Sequence, residues 1–442
     1  MSGAYTRTAL QGLGWLPQAG EQFSSAQLIG QLAIVPEQQP LFGRLLEFLA
    51  EDGLLQAANP PTAGRPAPDQ AAGQLAKGTD WQVASKVDSP PDPELIESLL
   101  RSQYTECDAE LTLLGRCGRQ LAAVLSGQID PVELLFPDGN STLVERLYQD
   151  SPFARTLNTL VEESILQALA GVSENRPVKI LEIGGGTGGT SSQILPRLPA
   201  DRTEYLFTDV SELFTRAARK KFRRFSFVRY RVLDIEQDPT TQGFAAGQFD
   251  LILAANVIHA TRDLQQTMTH VRTLLAPGGL AVLLEGMQPA RWLDLTFGLT
   301  TGWWRFADWD LRPNYPLLGA AGWLELLDRC GFQQAATLPG LEAATAGQMG
   351  ERNVPQGVIL AQNGDCQAPQ AAAQQPAGRP SAPQQPIPST RRRWLVLADQ
   401  SGVGAALVER LQSGGDRCVV VQVGKRFQKL DENHFLVDPA RP

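Results

Sequence analysis

A chain of 442 residues exceeds one ordinary domain and predicts two or three folded units. Hydrophobic residues at 43% and charged residues at 19% predict a globular protein with a sizeable core, while a net charge of −8 argues against a nucleic-acid binder, which should carry a basic surface. The five cysteines, Cys107, Cys117, Cys330, Cys366 and Cys418, are scattered with no C-x-x-C pair, so neither a disulfide framework nor a metal site is expected.

With no signal peptide and no apolar run long enough to span a bilayer, the expected setting is cytoplasmic, without a membrane partner. Residues 1–60 read as helical and amphipathic. Within 40–56, Leu41, Leu45, Leu46 and Leu49 fall at helical spacing and Gly53 is a natural stop. Residues 58–79, rich in Pro, Ala, Gly and Gln, read as a loop, and Trp81-Gln82-Val83 as a short strand that pairs nearby as a small wing. From 93 to about 126 the pattern is helical again, with Leu95, Leu99, Leu111, Leu114 and Leu121 as core candidates. Residues 143–170 predict one or two further helices.

Between 178 and about 362 strand and helix alternate. Strands are expected at 179–183, 204–208, 226–232, 249–254, 279–285 and 356–361, and helices at 189–197, 211–222, 263–275 and 319–330. This alternation predicts an α/β fold with a parallel, doubly wound sheet and a ligand at the carboxyl ends of its strands. Gly278-Gly279 after Pro277 predicts a tight turn before a strand, and 356–360 an antiparallel strand closing the sheet edge. Residues 363–390 hold little but Ala, Gln, Pro and Gly, a linker composition. In 391–442 a strand from Trp394, a helix to Leu411 and a strand at 417–423 read as a β-α-β fragment, too short for a whole nucleotide-binding domain and so expected to be a piece of a longer polypeptide.

The most informative stretch is 179–188, Lys-Ile-Leu-Glu-Ile-Gly-Gly-Gly-Thr-Gly. An apolar strand carries the acid Glu182, the alternating glycines Gly184, Gly186 and Gly188 follow, and Thr190, Ser191 and Ser192 open a helix. Glycines so placed let backbone approach a ligand and adopt positive φ. The spacing differs from the dinucleotide fingerprint G-x-G-x-x-G. It resembles motif I of the S-adenosylmethionine-dependent methyltransferases, which implies S-adenosyl-L-methionine as cofactor, its methionine and ribose beside the loop. Asp209, ending the second strand, can accept two hydrogen bonds from ribose hydroxyls, or alternatively cap the helix near Ser211. Asp234 and the amide of Ile235 stand where such enzymes contact adenine, with turn formation as the alternative. Asn256 would contact the methionine part or shape its loop.

Of the three histidines, His270 lies in a predicted helix and His434 in the tail. His259 stands just past a strand's carboxyl end, beside the expected crevice, and the next strand delivers Glu285 to the same edge. If those strands are neighbours, the carboxylate fixes the imidazole tautomer and strengthens the other ring nitrogen as a base.

The stretch Asn256-Val-Ile-His259-Ala-Thr, then Leu-Leu-Glu285-Gly, then 292–306 with Trp303, Trp304 and Phe306, is similar to the carbon-methyltransferase domains of modular polyketide synthases. So is Tyr148-Gln-Asp-Ser-Pro152-Phe-Ala-Arg-Thr-Leu-Asn158, and the likeness covers roughly residues 30–362. The resemblance implies a Rossmann-like class I core with a seven-stranded sheet over 141–362 and a mainly helical N-terminal lid over 1–140. It implies a catalytic pair His259–Glu285, Tyr148 lining the site near the methyl donor, Asn158 supporting the pocket, and Trp303, Trp304 and Phe306 roofing an acyl chamber. The implied substrate is a β-ketoacyl chain on the phosphopantetheine arm of an acyl carrier protein, methylated at its α-carbon after His259 takes a proton. Neighbouring synthase domains in the same polypeptide are implied as well.

The basic run Arg216, Arg219, Lys220, Lys221, Arg223 and Arg224 would steer an acidic carrier, or is simply a solvated helix face. The tail resembles the start of the structural half of a ketoreductase, with Leu407 where a dinucleotide fingerprint needs its third glycine, so no NADPH site is expected there. Two other readings stay open: an oxygen methyltransferase of similar architecture, and an inactive methyltransferase scaffold.

Overall fold

The computed structural model describes residues 1–58, 79–173, 175–338 and 355–364, together with 393–398, 408, 412, 417–423, 428–429 and 434–437. The chain divides into two units, Met1–Ala368 and Pro369–Pro442.

The first unit begins with α1 (Ser2–Gly12), α2 (Ser25–Gln31) and α3 (Gln39–Glu51). Ser24 starts α2 by a reciprocal cap: its hydroxyl accepts from the Gln27 N–H while the Gln27 side chain accepts from the Ser24 N–H. Leu41, Leu45, Leu46 and Leu49 of α3 are fully buried, as their spacing predicts. The expectation of helix throughout 1–60 is corrected by two strands, β1 (Gln22–Ser24) and β2 (Leu55–Ala57). Gly20 and Gly53, at φ +77° and +75°, turn the chain just before each. Both pair antiparallel with β3 (Asp80–Val83), the wing expected around Trp81. Most of the loop expected at 58–79 lies outside the described residues.

Four more helices follow: α4 (Pro93–Gln103), α5 (Asp108–Arg119), α6 (Leu121–Leu125) and α7 (Pro131–Leu135). Leu111, Leu114 and Leu121 are buried, but Leu95 and Leu99 are each 59% exposed, correcting their assignment to the core. The buried residue of α4 is Glu97, whose carboxylate accepts from the Tyr5 hydroxyl at 2.7 Å, from Arg119 at 2.7 Å and from Arg101 at 2.9 Å. Those bonds pull α4 down by its charged face, so its leucines point away. The apolar residues of α1, α3, α5 and α6 share one cluster with Leu293, Leu299, Trp303, Trp304 and Phe306, which ties this helical layer to the next.

Two helices, α8 (Thr142–Gln149) and α9 (Pro152–Ala170), lead into a seven-stranded sheet. Its strands are β4 (Val178–Ile183), β5 (Thr203–Asp209), β6 (Val228–Val232), β7 (Phe249–Ala255), β8 (Leu275–Gly286), β9 (Phe332–Leu338) and β10 (Gln356–Asn363), in the order β6-β5-β4-β7-β8-β10-β9. The first five are parallel, and β10 runs antiparallel to both β8 and β9. Thus β10 is antiparallel as expected but internal: the edge belongs to β9, whose Phe-Gln-Gln-Ala-Ala-Thr-Leu carries no alternating apolar signal. At Pro277–Gly279 the chain turns as expected: β8 spans it from Leu275, but the pairing with β7 jumps from Phe249–Leu275 to Leu251–Leu280, and Gly278 has φ +72°.

The crossover helices are α10 (Gly189–Ile194), α11 (Glu212–Lys221) and α12 (Leu264–Leu274), with a short α13 (Arg291–Asp294) and α14 (Ala320–Arg329) after β8. From β4 the chain winds outward to β6 and then returns beyond β4 to β7. The carboxyl ends of β4 and β7 therefore flank a topological switch point, where open α/β sheets bind ligands.

In the second unit, β11 (Arg393–Ala398), β12 (Arg417–Val423), β13 (Gln428–Lys429) and β14 (His434–Val437) form a sheet in the order β11-β12-β14-β13. The first two are the parallel pair expected there, and most of the helix expected to end at Leu411 lies outside the described residues. Among the described residues no helix is long and apolar enough to cross a membrane.

Candidate active site

At the switch point the glycine loop passes under the chain leaving β7. Gly184, Gly186 and Gly188 have φ of +62°, +53° and +74°. A Cβ on Gly184 would lie 2.5 Å from a methyl of Val257, so only glycine fits beneath it. Asp209 organises the loop from β5: its carboxylate accepts from the Gly186 N–H at 2.9 Å and from the Ser211 N–H at 2.8 Å. The cap of α11 is Ser211 itself. Burial pushes the Asp209 carboxyl above its usual range, while those two N–H groups oppose the shift.

Glu182, buried at the end of β4, accepts from the Ser191 hydroxyl at 2.6 Å and the Tyr205 hydroxyl at 2.9 Å. Burial raises its carboxyl to about 7, against the pull of those two bonds. Asp234 accepts from the Glu236 N–H at 3.0 Å in a turn, and the buried Ile235 gives its carbonyl to His270 Nδ1 at 2.8 Å. Asn256 has φ +55°, donates its N–H to the Leu284 carbonyl and accepts from Gln356 at 3.3 Å. Asn158 joins three helices: its amide donates to the Tyr148 carbonyl at 3.0 Å and accepts from the Thr190 hydroxyl at 2.9 Å.

A cavity of about 420 Å³ opens over the loop, lined by Glu182, Gly184, Gly186, Asn256, Tyr148 and Asn158. Trp292 and Phe297, which sequence reasoning passed over, supply its aromatic wall, and the Tyr148 ring stands 5.9 Å from that of Phe297. The Tyr148 hydroxyl is held well above its usual pKa by burial and by the charge of Glu285. Gly188, Asp209, Asp234, Ile235, His259 and Glu285 are not on the wall of this cavity, nor are Trp303, Trp304 and Phe306, which sit in the apolar cluster shared with the helical layer.

His259 and Glu285 meet at the neighbouring strand ends. Parallel pairing of Ala255 with Leu284 brings β7 and β8 out of the sheet at the same level. His259 lies in a single 3₁₀ turn, Ile258–Ala260, and its Nδ1 is 2.5 Å from Glu285 Oε2. The other carboxylate oxygen accepts from the N–H groups of Val257 and Ile258, at 3.1 and 2.7 Å. A carboxylate can accept a hydrogen bond from Nδ1, an arrangement that leaves Nε2 as the ring nitrogen not engaged by Glu285. The Trp303 ring meets the imidazole edge to face at 5.3 Å. The dyad adjoins the cavity through Asn256 and Leu284, lining residues on the same two strand ends.

Sheet order, glycine loop and acidic strand ends define a class I methyltransferase. A family model described as a methyltransferase domain matches residues 181–281. The chain superposes on the solved CurJ carbon methyltransferase with a TM-score of 0.73 and 44% identity, covering 82% of this chain and 90% of that one. For the citrinin polyketide synthase CMeT domain the values are 0.68 and 26%, covering 82% and 88%. The trans-methyltransferase CalH, solved in complex with SAH, gives 0.57 and 25%, covering 82% and 89%. The non-reducing polyketide synthase adrD of Penicillium roqueforti is 34% identical over 334 residues, which is 75% of this chain but 12% of that protein's length. The chain belongs to the S-adenosylmethionine-dependent carbon methyltransferases of polyketide synthases.

Proposed function

We propose that this domain methylates the α-carbon of a β-ketoacyl chain carried on the phosphopantetheine arm of an acyl carrier protein, as one step of polyketide assembly. The observation that carries the reading is the His259–Glu285 pair beside a glycine-lined cavity. The chain's residues suit S-adenosylmethionine: a Cβ on Gly186 would have no protein atom nearer than 3.9 Å, so it would project into the space the cavity keeps open. Glu182, Asp209, Asp234, the amide of Ile235 and Asn256 are the groups we assign to holding it, with Asn158 bracing the wall. Bound there, the cofactor supplies a methyl group on a positively charged sulfur.

The acceptor carbon lies between two carbonyls, so its proton is acidic enough for an imidazole to remove. His259 Nε2 takes that proton, and Glu285 stabilises the imidazolium that results. The carboxylate cannot swing away, because its second oxygen is held by two backbone N–H groups. Tyr148, Trp292 and Phe297 exclude water and hold the acceptor in line; such alignment is the main source of rate here. Trp303 backs the imidazole edge to face.

The carrier would approach along α11, which exposes Arg219 and Lys220 and also contributes Phe214 to the cavity wall, with Arg223 and Arg224 exposed just beyond its end. The domain would work beside other synthase domains of a longer polypeptide, in a reducing cytoplasm that keeps Cys107, Cys117, Cys330 and Cys418 as free thiols.

The test offers a β-ketoacyl carrier protein and methyl-labelled cofactor and locates the label by mass spectrometry. Label on the α-carbon supports this reading; label on oxygen replaces it with oxygen methylation; cofactor binding without transfer, or no binding, leaves a scaffold. His259→Ala should abolish turnover with cofactor affinity nearly unchanged, and full activity in that variant would remove the proposed base.

A further inference from the structure

The turn that carries His259 is one turn long and marginal by itself. Four consecutive carbonyls, those of residues 259–262, accept hydrogen bonds from a single distant segment, 305–312. Arg312 donates to the His259 carbonyl at 2.7 Å, the Thr261 carbonyl at 2.8 Å and the Arg262 carbonyl at 3.2 Å. Arg305 donates to the Ala260 carbonyl at 3.0 Å, and the Ala307 N–H to the Arg262 carbonyl at 2.8 Å.

Arg312 is 1% exposed, which for a cation is costly unless every donor is used. They are all used: its remaining donors reach the Pro316 carbonyl at 3.2 Å and Asp308 at 2.7 Å. The other oxygen of Asp308 accepts from the Leu264 N–H at 3.0 Å, the first residue of α12. One buried ion pair thus joins the end of the His259 loop to the start of the helix that follows it.

The turn is gripped from both ends by opposite charges. Glu285 takes the N–H groups of Val257 and Ile258 on one side, and Arg312 takes the carbonyls after the imidazole on the other. This matches the polarity of a helical turn, positive at its amino end and negative at its carboxyl end.

We infer that Arg312 is a positioning residue for methyl transfer, the group that fixes where the imidazole of His259 meets the acceptor carbon. The segment 303–312 is then a mould for the base, with Trp303 against the ring and Arg312 beneath its backbone. A lysine keeps the charge but has three donors on a single nitrogen, which cannot reach the carbonyls of residues 259, 261 and 262 together with Asp308. The inference rests on the reading of His259 as base.

Its test uses the full chain with Arg312→Lys, and His259→Ala in parallel. The readouts are cofactor affinity by calorimetry, kcat, and solvent-deuterium exchange at the α-carbon of a β-ketoacyl-pantetheine with S-adenosylhomocysteine present. A misplacement of the base near 1 Å predicts a fall of about a hundredfold in both kcat and exchange, with KM and cofactor affinity within about twofold. Wild-type kcat and exchange in folded Arg312→Lys would overturn the inference, as would losses matched by an equal loss of cofactor affinity. Should Arg312→Lys fail to fold, Arg305→Gln, which frees the Ala260 carbonyl and breaks the Arg305–Glu236 ion pair while leaving Arg312 in place, must still slow exchange by a few-fold; unchanged exchange there overturns the inference too. Exchange persisting in His259→Ala would instead refute the base itself, which separates the two failures.

Discussion

Glu285 Oε2 lies 2.5 Å from His259 Nδ1, while its partner oxygen is fixed by the backbone two residues before the histidine. The carboxylate therefore sets both the tautomer of the ring and the shape of the turn beneath it. Glu285→Gln separates the two tasks. The amide oxygen can still accept from Ile258, but its NH₂ then faces Nδ1 and favours the tautomer with the proton on Nε2. We expect kcat to fall about ten-thousandfold, as for an orienting carboxylate in other imidazole-base sites, with cofactor affinity unchanged. Steady-state kinetics beside calorimetry would check this, and a near-normal kcat would refute it.

Gly184→Ala places a methyl 2.5 Å from Val257 at a φ of +62°. Relief requires the loop or the His259 turn to shift, so both functions suffer. The strain should cost about 1–3 kcal/mol of stability and lower cofactor affinity by about tenfold. Gly12→Ala, at an ordinary φ in α1 and with nothing within 4 Å of its Cβ, is the unstrained control and should not lower either. Denaturant titration and calorimetry on the pair decide.

The buried Glu182 makes stability depend on pH in an unusual direction. Its carboxyl is raised from 4.5 to about 7, so within that window the folded chain holds a proton that the unfolded chain releases. Stability then falls as pH rises through the window and levels off above about 7. The full effect is roughly 3 kcal/mol, at 1.36 kcal/mol per unit. Urea midpoints of the cofactor-free protein between about pH 5 and 8 should show this slope, and Glu182→Gln should flatten it. An equal slope in the variant would assign the titration elsewhere.

Glu97→Ala would remove the carboxylate on which the Tyr5 hydroxyl and two guanidinium groups converge, leaving Arg101 with Asp108 and Thr112 and Arg119 with the Tyr5 hydroxyl alone. Burial pushes that carboxyl up, but its hydrogen bonds from Tyr5, Arg101 and Arg119 hold it below the usual range. Its contribution is therefore present at neutral pH and is lost on acidification through that lowered value. We expect a loss of about 3 kcal/mol at neutral pH, with α4 becoming more open to proteolysis. Limited proteolysis of the variant would show whether cleavage begins in that helix.

The pattern along the chain determined what is local. Alternating strand and helix signals placed six of the seven core strands, and the glycine run after Glu182 marked the loop, because φ and close approach restrict residue choice on the spot. The acid and the imidazole at the ends of β8 and β7 were also legible, since a strand end is where a parallel sheet presents chemistry. Periodicity, however, finds a stripe without saying which way it faces. Leu95 and Leu99 make such a stripe, yet α4 is held by Glu97, whose partners lie on α1 and α5. The edge strand β9 carries small or polar residues between its terminal Phe332 and Leu338, so nothing in its composition announced it. Only the tertiary structure made Trp292 and Phe297 a cavity wall and Arg312 a clamp. A buried arginine reads like any surface arginine until the carbonyls it serves, some fifty residues earlier, are folded around it.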